Sequence, residues 1–178
     1  MARKTKIPLD EAPRFAAALG RLTAHWARVE FELATLLAAL LGVDMSRAAL
    51  LYQTFFCLPQ KLELLQRLVR SFVEPGGERS ALLALLREAA ELEERRDGFV
   101  HAAWAVGRSE DSMQQISSSL PRNPQALRRA MREVAVTEVD VVVERMAVLS
   151  AELQWFAFES FSKLRIRSEP APAPGRPA

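Results

Sequence analysis

Three side chains near the middle of the chain are suited to joint chemistry: Arg96, Asp97 and His101, in the run Arg96-Asp97-Gly98-Phe99-Val100-His101. An imidazole is the side chain that moves protons near neutral pH without help. A guanidinium is permanently charged and fits a phosphate bidentately. A neighbouring carboxylate can orient the imidazole. The natural reaction for such a set is RNA cleavage by the adjacent 2′-hydroxyl. Histidine would manage the proton, and arginine would hold the scissile phosphate as charge builds on it. The products would be a 2′,3′-cyclic phosphate and a 5′-hydroxyl, and the chemistry requires no metal.

The spacing sets a geometric condition. On a continuing helix Asp97 and His101 are i,i+4 neighbours and can touch. Arg96 is five residues from His101, about 140° round an ideal helix, and faces elsewhere. A joint site then needs a helix break, a long reach by the arginine, or a second chain. Gly98 offers a place for a break.

These residues resemble the Arg-polar-x-x-x-His motif of the HEPN superfamily. That is a group of small all-α proteins, many of them metal-independent ribonucleases of toxin–antitoxin, CRISPR and phage-defence systems. Ala102-Ala103-Trp104 is similar to the small-residue-then-Trp continuation of bacterial members. Trp26-Ala27-Arg28-Val29-Glu30 is similar to their first long helix. The resemblance spans roughly residues 15–165 in helix order and about a dozen positions in residue detail. It implies that Arg96 and His101 are the catalytic pair and that Asp97 is the polar residue after the arginine, where the family often has Asn. It implies a homodimer whose two motifs meet in a cleft, with RNA as substrate, a protein antitoxin as partner and no cofactor. Many members of the fold instead serve as non-catalytic modules that bind nucleotide, RNA or protein.

The neighbours have two readings each. Arg95 either binds RNA phosphate or joins Arg96 on a solvated face with Glu91, Glu93 and Glu94. Trp104 is either a platform for a base or part of the core. His101 itself could simply satisfy Asp97 or a backbone carbonyl. His25 reads as helix surface or interface, Trp26 as core, and Glu30 as a partner for an arginine of the central stretch.

The elements that must position these residues are helical. Leu and Ala dominate the 178 residues, and only 7 are Gly. One domain of this length can bury a sizeable core. The 24 basic and 22 acidic residues nearly cancel, so nucleic-acid binding would need a local patch. Cys57 is the one cysteine, which leaves no intramolecular disulfide and no cysteine-based metal cluster. In its apolar run it reads as a small buried side chain. No run reaches membrane-spanning length without charges, so a cytoplasmic protein that does not engage a membrane is expected.

Residues 1–9 read as an arm, 10–167 as one helical domain, and 168–178, rich in Pro and Ala, as a disordered tail. The first helix opens at Asp10 or Pro13 and follows Leu19, Leu22, Trp26, Val29, Leu33, Leu36 and Leu40 in steps of three and four. Phe31 and Leu37 widen that stripe, and Gly42 ends it. Asp44 caps a second helix. A third runs from about Pro59 to Val73, with Leu62, Leu65, Leu68 and Val69 inward and Lys61, Glu63, Arg67 and Arg70 outward. A fourth runs from about Glu78 into the Arg96 region. A loop or loose β-hairpin follows, with arms near 103–107 and 112–118, and then a short helical turn from Ala126 to Met131. Thr137-Glu138-Val139-Asp140 has the form of a capping box. It opens a last helix through Val141, Met146, Leu149, Leu153, Phe156 and Leu164. The expected fold is an all-α, up-and-down bundle of about five main helices.

Overall fold

The computed structural model describes residues 8–116 and 131–167, with side chains as far as 159. The arm before residue 8, the tail from 168, the end of the second hairpin arm and most of the helical turn expected at 126–131 lie outside the described residues. So do the side chains of Phe161 and Leu164.

After a 3-10 turn at Pro8–Glu11, α1 spans Pro13–Leu41, α2 Met45–Gln53, α3 Leu58–Phe72 and α4 Gly77–Val100. Strands β1 (Ala103–Val106), β2 (Ser112–Ile116) and β3 (Met131–Ala135) precede α5 at Val136–Arg167. The molecule is therefore mainly helical, with a three-stranded antiparallel sheet in the order β1-β2-β3. The expected hairpin is β1 and β2. The third strand departs from the all-α expectation, and Met131 belongs to it rather than to a helical turn.

The described residues form two compact units. One holds the chain up to Val29 together with Glu88–Leu149, the other Glu30–Arg87 together with the chain from Ser150. In the first unit, Phe15, Leu22 and Val29 from α1 are fully buried, as are Leu92 of α4 and Val139, Val142 and Met146 of α5. In the second, Leu33, Leu36 and Leu37 are buried along with Leu65 and Val69 of α3 and Leu82 and Leu86 of α4. Each such side chain contributes roughly 1.5–3 kcal/mol as an upper figure.

Several packing expectations are corrected. Phe31 does not widen the buried stripe, since about half its surface is exposed. Cys57 is exposed rather than buried, next to a fully exposed Phe56. Both lie in the link between the end of α2 at Gln53 and the start of α3 at Leu58. Lys61 does not point outward. Its ammonium lies 4.2 Å from the centre of the Tyr52 ring and 3.4 Å from Glu30. Glu30 is thus held by a lysine of α3, not by an arginine of the central stretch.

The start of α5 is capped two residues earlier than the Thr137 pattern suggests. Glu138 reaches back to accept from the backbone N–H of Ala135 at 3.2 Å and pairs with Arg132 at 3.1 Å. Among the described residues no single helix is long and apolar enough to cross a membrane.

Candidate functional site

The first unit carries the central motif at the C-terminal end of α4. The helix runs without a break through Gly98 to Val100, and His101 still donates its backbone N–H to the Asp97 carbonyl at 3.0 Å. Gly98 has no positive φ, so the expected distortion there is absent. Arg96 and His101 leave the helix on different sides of it, yet both side chains reach Asp97. Asp97 links them. Its Oδ1 accepts from Arg96 Nη1 at 2.6 Å and lies 3.8 Å from His101 Nε2. The second distance suits an ion pair with a protonated imidazole and is too long for a hydrogen bond.

Accessibility separates the three. The His101 side chain is 66% exposed, Asp97 44% and Arg96 22%. The inner part of Arg96 is enclosed, and its buried Nε has no hydrogen-bond partner among the described residues. A buried donor without an acceptor costs free energy, so this N–H is the least satisfied group of the motif. Arg95 is exposed. Arg96 pairs with Asp97 next to it. Glu91 instead lies 3.9 Å from Arg145 of α5, which also binds Glu88 at 2.8 Å.

Trp104 is half-buried at the start of the sheet. Its ring meets Phe15 of α1 edge-on, with centroids 4.8 Å apart, and its indole N–H donates to the Phe99 carbonyl at 3.1 Å. On the neighbouring strand, Gln115 donates its side-chain amide to the Gly98 carbonyl. The last turn of any helix leaves carbonyls without intrahelical partners. Here two of them, on Gly98 and Phe99, are met by side chains from the sheet. Gln115 escaped the sequence reading because an isolated glutamine in a short polar strand carries no local signal of its distant partner.

The sheet that brings these groups in has a fixed register: Trp104 opposite Gln115, and Gln115 opposite Arg132. Residues directly opposite share a face, so Met113 and Val134, both buried, lie on the same face as Gln115. The β1–β2 turn is tightly closed. A Cβ on Gly107 would collide with the Ser112 backbone. On the other face Glu133 accepts from the Ser112 hydroxyl at 2.7 Å and from the Arg108 N–H at 3.0 Å. The Ser112 bond first, then the Arg108 bond, holds the Glu133 carboxyl below its usual range.

His25 is half-buried on α1, and Trp26 beside it is in the core, as their positions suggested. Among the described residues no three His, Cys, Asp or Glu side chains group as metal ligands. The second unit contains a cavity of about 1040 Å³ whose walls include Phe31, Glu32, Phe72, Arg79 and Phe158. None of the motif residues lines it, and it offers no imidazole for the chemistry considered above. No family model, curated protein or solved structure matches the chain.

Proposed function

We propose that the chain is a HEPN-like endoribonuclease of toxin–antitoxin or phage-defence type, which cleaves RNA through the adjacent 2′-hydroxyl with Arg96 and His101. The observation that carries this reading is the shared oxygen of Asp97. An anionic oxygen standing where Asp97 Oδ1 stands is in hydrogen-bond reach of the guanidinium and 3.8 Å from the imidazole nitrogen, an ion-pair distance. A scissile phosphate that displaces or joins that carboxylate meets a permanent cation on one side and a proton carrier on the other. His101, the most exposed of the three, takes the 2′-hydroxyl proton or returns one to the departing 5′-oxygen. Arg96 neutralises charge on the phosphorane, and Asp97 orients the two between turnovers. Arg95, exposed and adjacent, adds a cation for a flanking phosphate. The working form is a homodimer that pairs two such motifs, and a protein antitoxin that covers His101 would silence it.

A second reading keeps the fold and drops the reaction: a module that binds RNA, nucleotide or protein. The direct Arg96–Asp97 pair favours it, because a guanidinium already neutralised in its own chain is less available to a transition state.

The test is cleavage of mixed cellular RNA in EDTA by the purified chain, with His101→Ala and Arg96→Ala alongside. The ribonuclease reading expects cyclic-phosphate ends from the wild type, and at least about a hundredfold slower cutting by each variant. Equal turnover by all three preparations would sink it. RNA retention without cutting, weakened in Arg96→Ala, would select the binding module.

A further inference from the structure

The hydrogen bonds at the end of α4 have a consequence for His101. This residue is the first after the helix and lies two residues before β1, at the junction of two element types. A helix end of this kind usually frays, because its last carbonyls have only water as partners. In this protein the two carbonyls immediately before it in the chain, apart from that of Val100, are tied to the sheet. Phe99 is held by the indole of Trp104 and Gly98 by the amide of Gln115. Trp104 is itself fixed by its edge contact with Phe15, which is completely buried. Gln115 is fixed by pairing on both sides, with Trp104 and with Arg132.

From this we infer that Trp104 and Gln115 are positioning residues for His101. They clamp the last turn of α4 to the sheet and so hold the imidazole against Asp97. For its catalytic meaning the inference rests on the Arg/His reading; for its structural meaning it does not. Neither side chain touches substrate in this role. Trp104, which the sequence offers either as a base platform or as part of the core, works from behind the site. The sheet is then the part of the fold that sets the geometry of a helical motif, which accounts for an extra three strands in a mainly helical chain.

The experiment follows the imidazoles directly. Full-length protein carrying ¹³C-histidine has two ring signals, from His25 and His101, which His101→Gln assigns. Trp104→Phe keeps the ring and removes the indole donor, and Gln115→Leu keeps the bulk and removes the amide. Each is expected to move or broaden the His101 signal, with His25 unchanged, and to speed amide exchange at His101 about tenfold. Gln114→Leu, on the opposite face of the same strand, is expected to leave both unchanged. Where RNA is cut, kcat falls about ten- to a hundredfold with KM within about twofold.

If the His101 signal and exchange in both single variants match the wild type, the clamp is overturned. It is equally overturned if Gln114→Leu disturbs His101 as much as Gln115→Leu. A wild type that cuts no RNA, while its His101 signal still responds to the two variants, removes the ribonuclease reading and leaves the clamp standing.

Discussion

Two helix ends in this molecule are closed in opposite ways. In the second unit α1 stops at Leu41 by local chemistry alone. Gly42 adopts φ 63°, its N–H bonds the Ala39 carbonyl at 3.3 Å, and the Val43 N–H bonds the Ala38 carbonyl at 3.2 Å. That is the Schellman arrangement, written into the six residues from Ala38 to Val43. In the first unit α4 stops at Val100 with no such residue. Its carbonyls are met by Trp104 and by Gln115, which is 17 residues from its acceptor. The first end would form wherever this sequence formed a helix. The second exists only when the sheet has formed.

The contrast can be broken by removing the support under the second end. Phe15→Ala takes away the fully buried ring on which Trp104 rests and should cost about 3–5 kcal/mol in urea unfolding. A loss below about 1 kcal/mol would mean that Trp104 needs no backing, and the α4 terminus would then be as self-sufficient as that of α1.

The glycines at the two ends should respond with opposite signs. Gly42→Ala places a Cβ in the left-handed region and should destabilise by about 1–2 kcal/mol. Gly98→Ala adds a Cβ in helical backbone with no atom nearby and should stabilise by about 0.5–1 kcal/mol. Thermal unfolding of both variants gives the two signs. If Gly98→Ala were also destabilising, the continuity of α4 through the motif would be in question.

The smallest effect concerns the sheet that makes the second end. Glu133 has its carboxyl held below the ordinary glutamate value of 4.5 by the Ser112 hydroxyl and the Arg108 N–H. Its contribution is therefore complete above that value and disappears as pH falls through the lowered folded value. Glu133→Gln should flatten the acid side of a stability-versus-pH curve and leave the neutral region nearly level. An unchanged acid slope would remove Glu133 from the forces that close the β1–β2 turn.

The same contrast explains what could be read from the sequence. The end of α1 at Gly42 and the cap of α2 at Asp44, whose carboxylate accepts from the Arg47 N–H at 3.0 Å, are local signals and were legible. So were the apolar steps from Leu22 to Leu40 and the inward face of α3 from Leu62 to Val69. The motif Arg96, Asp97, His101 was visible as residue types, and the i,i+4 approach of Asp97 to His101 followed from helical spacing. Their dependence on the sheet was not visible, because Met131–Ala135 has only one strongly buried side chain, Val134, and no clean alternation. Lys61 misled because a charged residue on an amphipathic helix is usually solvated. Here its stem lies on Tyr52 and its charge is met by Glu30.

Strand register has a further consequence for how this chain can change in length. Side chains alternate across a strand, so one residue inserted or deleted between Gly107 and Asp111 shifts the pairing of β2 by one position. Gln115 would then face away from α4, and Gln114 or Ile116 would stand in its place. A single-codon change in a surface turn thus reaches the imidazole without altering any residue of the motif. A change of two residues keeps Gln115 on its face of the sheet but moves it two positions along the strand, so the bond to Gly98 is lost there as well. The length of that turn is therefore under a constraint that the connection from α3 to α4 does not share.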